Sequence, residues 1–189
     1  MLLLVGLGNP GSNYTNTRHN IGFKIIDAIN THFKLSKQKP KFKGLLTTGN
    51  IESKKIYAIK PLTFMNNSGT AIKELIDYFK IDAKDVFVFH DDLDIDFGKI
   101  KVKFGGSSAG HNGIESIDKF IGKDYSRVRV GIGHPKQKKK VNNHVLEDFK
   151  EDEEEKIKDI TDNIVKLIPT LIEKKIDLFS SKVNQNLNG

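Results

Sequence analysis

The chain has 189 residues, 37% of them hydrophobic and 29% charged; this length supports one hydrophobic core, so we expect a single domain over residues 1–189. The lack of cysteine excludes disulfides and thiolate metal sites and favours a cytoplasmic protein. No apolar run approaches the ~20 residues that span a bilayer, so no membrane partner is expected. The net charge of +7 favours a polyanionic partner, nucleic acid first, although a lysine-rich composition without meaning for binding gives the same value.

Hydrophobic periodicity predicts strands that alternate with helices. The predicted strands cover residues 2–7, 45–51, 55–59, 86–89, 100–104 and 127–132, and the second and third form a hairpin. The predicted helices run from residue 21 to 33, from a cap at Asn67 or Ser68 to residue 79, over 114–121 and over 157–171, with Pro169 kinking or dividing the last one. Lysine-rich loops are expected at 34–44 and 134–140. This alternation indicates one α/β layered structure.

Four clusters of polar side chains each follow a predicted strand. They cover residues 9–20, 64–67, 90–94 and 105–112. Parallel strands that end at the same edge of a sheet bring their loops together in a crevice. We therefore expect the four clusters to meet and to form the functional site.

His19, in the first cluster, can take a proton near neutral pH and is a candidate general base. A base of this kind needs a carboxylate that fixes its tautomer, and Asp91, at the end of a strand, is the candidate. Without cysteine, and without a serine in a nucleophile-elbow pattern, water is the simplest nucleophile. His111 competes for the role of base, and His19 can instead be an inert histidine at a helix start.

Uncharged amides and aromatic rings accompany these groups. Asn9, Asn66 and Asn112 each lie in one of the clusters, where an amide can donate to a developing oxyanion or accept from an N–H group. An asparagine alone is more often a turn or cap residue, but the set of three favours a functional role. Tyr14 and Phe64 can stack on a base or a peptide, or pack in the core.

Basic side chains adjoin the expected crevice. They are Lys101, Lys103, Arg127, Arg129 and Lys136. These cations can contact phosphates, or they can form a solvated face. The uneven charge distribution, with KQKKK at 136–140 and EDEEE at 151–155, slightly favours phosphate contacts.

Two motifs suggest other functions but lack residues that those functions need. GLGNPG at 6–11 has the spacing of dinucleotide-binding loops, yet helical periodicity begins only near residue 20. DLDID at 92–96 suggests a calcium loop, yet Phe97 stands where that loop needs glycine and Lys103 where it needs glutamate. Histidines 90, 111 and 134 have no partners at metal-ligand spacing, so no metal site is predicted.

The motifs together resemble those of the bacterial peptidyl-tRNA hydrolase family. VGLGNPG, TRHNIG, KPLTFMNNSG, HDDLD, GGSSAGHNG and RVGIGHP follow in the family's order over residues 2–135. The resemblance implies a single-domain α/β fold, with a mixed twisted sheet flanked by helices, and a monomer. It also implies an esterase that uses no metal or other cofactor and cuts the bond between a peptide and the 3′-terminal ribose of tRNA.

The resemblance also implies roles for individual residues. His19 aligns with the catalytic base, Asp91 with its supporting carboxylate, and Asn9 with the residue that distinguishes N-blocked from free aminoacyl-tRNA. The substrate-binding positions are Tyr14, Phe64, Asn66, His111 and Asn112, and the basic positions tied to the tRNA backbone are Lys103 and Arg129. Ser107 and Ala109 replace glycines common in the family and His144 replaces an aromatic residue, which affects loop motion and the fit to tRNA.

Two other functions compete with hydrolysis of peptidyl-tRNA. A non-catalytic RNA-binding module on the same fold would lack the His19–Asp91 pair, which is present here. A nicotinamide oxidoreductase would bind NAD, which a titration measures directly. The hydrolase ranks ahead of both.

Overall fold

The computed structural model describes residues 1–137 and 140–188, and its centre is a seven-stranded sheet. The strands are β1 (Leu2–Gly6), β2 (Lys39–Lys41), β3 (Gly44–Ile51), β4 (Lys54–Pro61), β5 (Val86–Asp92), β6 (Ile100–Phe104) and β7 (Ser126–Gly131). The helices are α1 (Ile21–His32), α2 (Ser68–Phe79), α3 (Asn112–Ile121), α4 (Val141–Leu146), α5 (Glu151–Ile172) and α6 (Ile176–Asn188). The predicted single-domain α/β fold is confirmed.

The sheet is mixed, with the strand order β2-β3-β4-β1-β5-β7-β6. Strands β4, β1, β5 and β7 are parallel and occupy the middle. At one edge β2 and β3 form an antiparallel pair beside β4, and at the other edge β6 runs antiparallel to β7. The carboxyl ends of the four parallel strands therefore share one edge, whereas β6 ends at the opposite edge.

Strand β1 is buried over its whole length because helices cover both faces of the sheet. Leu2 and Leu4 face the layer formed by α1, α5 and α6. Leu3 and Val5 face the layer formed by α2 and α3. The continuous apolar run at the start of the chain thus belongs to the central strand of a three-layer structure.

Two glycines set the position of α1. A Cβ atom on Gly22 would lie 2.4 Å from the backbone nitrogen of Leu7 and from the carbonyl oxygen of Phe89, and one on Gly6 would lie 2.2 Å from the carbonyl oxygen of Gly22. The first turn of α1 therefore rests directly on the ends of β1 and β5. This close approach places residues 18–20, just before α1, beside the carboxyl end of β5.

Several element boundaries differ from the prediction. The expected loop at 34–44 contains β2, whose Pro40 is tolerated because β2 is an edge strand. Strand β5 continues to Asp92, so part of the HDDLD motif lies on the strand. Asn67 occupies the cap position of α2 without a side-chain cap hydrogen bond.

The C-terminal third also departs from the prediction. Helix α5 continues through Pro169 to Ile172, since the fully buried Ile168, Leu171 and Ile172 hold its last turn against the core. Helices α4 and α6 have no counterpart among the predicted elements. The predicted basic loop 134–140 includes residues 138 and 139, which lie outside the described residues, as does residue 189 of the predicted domain. No helix in the described ranges combines the length and apolar character that crossing a bilayer requires.

Candidate active site

His19 and Asp91 are in direct contact at the carboxyl edge of the sheet. Nδ1 of His19 lies 2.9 Å from both carboxylate oxygens of Asp91. Because an ionised carboxylate only accepts hydrogen bonds, Nδ1 carries the ring proton and Nε2 keeps its lone pair. His19 is 7% exposed, and its ring lines two cavities. The arrangement supplies a base that is open to a small ligand.

His111 contacts the same carboxylate from the start of α3. Its Nε2 lies 3.0 Å from Oδ1 of Asp91, while its Nδ1 accepts hydrogen bonds from the backbone N–H groups of Gly113 and Ile114 at 3.1 Å and 3.3 Å. A backbone N–H can only donate, so Nδ1 is unprotonated and Nε2–H donates to Asp91. His111 therefore has no lone pair to offer a substrate, and of the two candidate bases the geometry favours His19.

The charge state of the pair follows from its surroundings. Burial raises the pKa of the Asp91 carboxyl, but His19 and His111 lower that pKa by more, so it lies well below its usual range and Asp91 is ionised. Burial lowers the pKa of His19, but the attraction of Asp91 and the hydrogen bond to it raise that pKa by more. The net pKa of His19 is above its ordinary value of 6.5.

A third imidazole, His90, supports the strand that carries Asp91. Its Nδ1 lies 2.8 Å from the carbonyl oxygen of Asp91, and its ring packs edge-on against His111 with centroids 4.9 Å apart. Burial, with a smaller effect from His111, lowers the pKa of His90 to about 3. His90 is therefore neutral at physiological pH and adds no charge near the pair.

Asn9 is held in a fixed orientation by backbone groups. Asn9 and Asn20 exchange two hydrogen bonds of 2.9 Å, one from the Asn9 N–H to Oδ1 of Asn20 and one from Nδ2 of Asn20 to the Asn9 carbonyl. Oδ1 of Asn9 accepts from the N–H of Met65 at 2.8 Å. That N–H can only donate, so the side-chain oxygen faces Met65 and the donor Nδ2 is left for a ligand. Of the two roles predicted for these amides, donating to an oxyanion or accepting from an N–H group, the geometry favours donation for Asn9.

Residues from all four predicted clusters line the two cavities beside His19. The smaller cavity, of about 70 Å³, adjoins Asp91, Asp92 and residues 108–112. The larger one, of about 460 Å³, adjoins Asn9, Phe64 and Asn66. Asn112 lines both cavities, and the ring of Tyr14 meets that of Phe64 edge-on, with centroids 6.5 Å apart. The predicted convergence is present.

The reason given for this convergence fails for one cluster. Because β6 is antiparallel, residue 105 starts at the edge of the sheet opposite Asp91. The glycine-rich segment has to return along the sheet before His111 reaches the carboxylate. The hydrophobic alternation of a strand does not encode its direction, so the antiparallel direction of β6 could not be predicted from the sequence.

None of the predicted cations lines either cavity beside His19, although Arg129 contacts Asp92, which lines the smaller one. Lys103 is exposed on β6, in register with Arg127, and Arg129 forms an ion pair with Asp92 at 2.8 Å. Arg127 is buried and bound to Asp118 at 2.8 Å. The expectation that Arg127 contacts phosphate is therefore wrong, because its guanidinium is committed inside the protein.

Helix α4 contributes two residues that sequence reasoning missed. Asn142 and Val145 line both cavities beside His19. The six-residue helix is too short to show periodicity, and it is held by Arg18, whose Nη1 donates to the carbonyl oxygen of His144 at 3.1 Å. Any residue at 144 can supply that carbonyl, so this anchor does not depend on the histidine that departs from the family pattern.

The other departures lie in the loop beside the smaller cavity. The hydroxyl of Ser107 accepts from the N–H of Ala109 at 3.1 Å, which fixes the loop locally. Ala109 has a φ of 47°, a conformation that glycine adopts more easily. The two replacements thus add one hydrogen bond and one strained residue.

His19, Asp91 and His111 also form the group of described residues whose ligand atoms are close enough, within 4.8 Å, to hold a metal ion. Sequence spacing did not reveal this grouping for His111. The same atoms are joined by the hydrogen bonds described above, which accounts for their proximity.

Phe64 has a strained backbone at the rim of the larger cavity. Its φ of 59° and ψ of 159° lie in a region that is almost confined to glycine, yet its ring is 53% exposed. A residue held in such a conformation costs about 1–3 kcal/mol, and residues of this kind cluster at ligand sites, which keeps Phe64 a candidate binding residue.

We expect Phe64→Gly to be more stable than Phe64→Ala by about 1–2 kcal/mol in its free energy of unfolding, because glycine relieves strain that alanine keeps. Both variants lose the aromatic ring at the rim of the larger cavity, so the KM for a substrate bound there should rise in both. Urea denaturation of the two variants measures the difference. Equal stability, or a more stable alanine variant, would show that the backbone relaxes elsewhere and that no strain is stored.

Comparisons with known proteins agree along the whole chain. A family model described as peptidyl-tRNA hydrolase matches residues 3–188. A peptidyl-tRNA hydrolase of Pelagibacter ubique is 72% identical over 184 residues, which cover 97% of this chain and 99% of that protein. One of Ehrlichia canis is 47% identical over 185 residues, covering 98% of this chain and 95% of that protein. The crystal structure of peptidyl-tRNA hydrolase from Acinetobacter baumannii has a TM-score of 0.91 and 34% identity, covering 97% of this chain and 94% of that chain.

Proposed function

Because the chain belongs to the peptidyl-tRNA hydrolase family, we propose that its His19–Asp91 pair activates the water molecule that cleaves the ester bond of peptidyl-tRNA. The reaction releases free tRNA and peptide, and the chain is an ester hydrolase of translation. The observation that carries the mechanism is the contact of 2.9 Å between Nδ1 of His19 and both carboxylate oxygens of Asp91. Asp91 holds the proton on Nδ1, so the lone pair of Nε2 is the group that remains for water.

The proposed reaction needs one base and a set of amides. Water attacks the ester carbonyl while Nε2 of His19 takes its proton, and Asp91 stabilises the imidazolium that forms. The amides of Asn66 and Asn112 face the cavity and can donate to the oxyanion of the tetrahedral intermediate. As the intermediate collapses, His19 returns the proton to the 3′ oxygen of the ribose, which leaves with the tRNA.

The donor of Asn9 gives a basis for selecting N-blocked substrates. In a peptidyl group the α-nitrogen carries an acyl group. Nδ2 of Asn9 can donate a hydrogen bond to the carbonyl oxygen of that acyl group. A free aminoacyl ester carries an ammonium group instead, which cannot accept a hydrogen bond and is repelled by a donor. The selectivity then comes from the donor group of Asn9.

Incubation with N-acetyl-aminoacyl-tRNA beside its unblocked counterpart tests this function. We expect cleavage of the blocked ester and at least tenfold slower cleavage of the free one, a ratio typical of one buried hydrogen bond (about tenfold to several hundredfold). Asn9→Asp keeps an acceptor for Met65 but replaces the donor with a carboxylate oxygen that attracts ammonium, so its ratio should fall. Cleavage of neither ester would overturn the proposed function. An unchanged ratio in Asn9→Asp would overturn only the role of Asn9.

We extend the proposal to the partner and the setting of the reaction. The tRNA body is held by exposed cations that include Lys101 and Lys103 on β6 and by Arg129, which is partly exposed beside Asp92. Contacts of this kind weaken as salt rises. We propose that the enzyme acts as a monomer in the cytoplasm. The proposed reaction needs no metal or other cofactor, since His19, Asp91 and the amides supply every group that it uses.

A further inference from the structure

A second groove lies next to the catalytic cavities, between the loop after β1 and the ends of β3 and β4. Its volume is about 620 Å³, larger than either cavity beside His19. Its apolar walls are Pro10, Phe23, Leu45 and Leu62. Its buried cation is Lys60, which is 9% exposed and whose Nζ lies 2.6 Å from Oδ1 of Asp27.

This groove is continuous with the catalytic site along one segment of chain. Asn9 lines both the groove and the larger catalytic cavity. Leu62 lies in the groove, and Phe64, two residues later, lies in the catalytic cavity. Phe64 borders the catalytic cavity on this segment, and its ring meets that of Tyr14 edge-on.

The position of the groove in the sheet indicates which end of the substrate it faces. Asp91 lies on β5, near the middle of the sheet. On one side follow β7 and β6, where Lys101 and Lys103 are exposed. On the other side follow β1, β4 and β3. Leu45 lies near the start of β3, Lys60 near the end of β4, and Leu62 directly after β4. A scissile ester at His19 has tRNA at one end and peptide at the other, so the two ends leave toward opposite sides.

The chemistry of the groove suits a peptide better than a nucleic acid. Two lysines line the groove, and each has an acidic partner: Lys60 pairs with Asp27 at 2.6 Å and Lys24 with Glu154 at 3.4 Å, so their charges are offset within the protein. Apolar walls accept side chains of many sequences, and the remaining N–H groups of Lys60 can donate to peptide carbonyls. Phosphates instead favour the exposed lysines on β6.

We propose that the nascent peptide of the substrate extends over the Tyr14–Phe64 pair into this groove, where the residues beyond the second from the ester bind. The residues next to the ester occupy the larger cavity beside His19, and those further along the peptide reach the groove past Asn9, which lines both spaces. The inference rests on the proposed function and adds a subsite that a single aminoacyl group cannot reach.

A substrate series tests the subsite. We expect kcat/KM of the wild-type chain to rise about tenfold between N-acetyl-aminoacyl-tRNA and a tetrapeptidyl-tRNA with an apolar third residue, since one apolar pocket contributes a factor of about this size. Leu62→Ser should lose most of that gain. Leu178→Ser is the matched control, because Leu178 is 43% exposed on α6, Leu62 is 38% exposed, and only Leu62 lines the groove.

A second measurement does not depend on rates. A photoreactive leucine, placed third from the ester in a tetrapeptidyl-tRNA bound to the His19→Ala variant, should crosslink to Leu45 or Leu62. Crosslinks confined to Val145 and Leu146 would overturn the proposal, as would a wild-type rate that does not depend on peptide length, or an equal gain in Leu62→Ser. If no member of the series is cleaved, the proposed function itself fails, which is a different result.

Discussion

Replacing His19 with alanine should lower kcat for peptidyl-tRNA cleavage by roughly 10²–10⁴-fold, the range for losing a general base. In the proposed mechanism the lone pair of Nε2 takes the proton of water, and His111 cannot replace it because two backbone N–H groups hold its Nδ1. The fold should persist, since Asp91 keeps the hydrogen bond from His111. Binding of tRNA should be unchanged, because the exposed cations lie away from His19.

Single-turnover cleavage and a filter-binding assay with deacylated tRNA measure the two effects separately. His32→Ala is a suitable control, because His32 is an exposed histidine at the end of α1, outside the catalytic cavities. Undiminished turnover in His19→Ala would remove the mechanism. A parallel loss of tRNA binding would instead indicate that the substitution disturbs the fold.

The main elements of the fold could be predicted because burial leaves a clear pattern in the sequence. Strands β1 and β5 are buried on both faces and read as apolar runs, and the helices show one apolar side. The direction of β6 and the position of α4 depend on partners distant in sequence. Helix α4, for example, is held by Arg18, more than a hundred residues earlier.

The candidate site was predictable at the level of residue types. His19 and Asp91 stood out because an imidazole and a carboxylate in separate polar loops suit a base and its support. The roles of Asn9 and His111 could not be derived in the same way, because they depend on which backbone N–H groups face each side chain. Those groups belong to Met65, Gly113 and Ile114, and their directions exist only in the folded chain.

Asp91→Asn should lower kcat by roughly 10²–10⁴-fold at mildly alkaline pH, although His19 itself is intact. In the wild-type chain, both His19 and His111 donate an N–H to the carboxylate of Asp91. Nδ1 of His19 lies 2.9 Å from both carboxylate oxygens, so an asparagine places an NH₂ group against it in either amide orientation, and two donors cannot share that contact unless an imidazole changes its tautomer. The backbone of α3 fixes His111, so His19 is the ring that changes, and its proton moves to Nε2, where water should bind.

The same substitution should move the acid limb of the pH–rate profile. The wild-type limb lies above 6.5, because the pKa of His19 is raised and the base is lost as pH falls through that pKa. Without Asp91 only burial remains, which lowers the pKa of His19, so the limb should move below 6.5. Asp96→Asn is the matched control, since Asp96 is 87% exposed nearby and outside both cavities.

The difference in unfolding free energy between the wild-type chain and Asp91→Asn should depend on pH, because it contains the interaction of His19 with Asp91. A raised pKa of His19 in the folded chain adds stability that is fully present below the pKa of the unfolded chain and disappears as pH rises through the folded value. Asp91→Asn loses that contribution, so the difference in unfolding free energy should be larger near pH 6 than at about pH 9. A gap that is constant over this window, together with an unshifted acid limb, would show that Asp91 does not control the charge of His19.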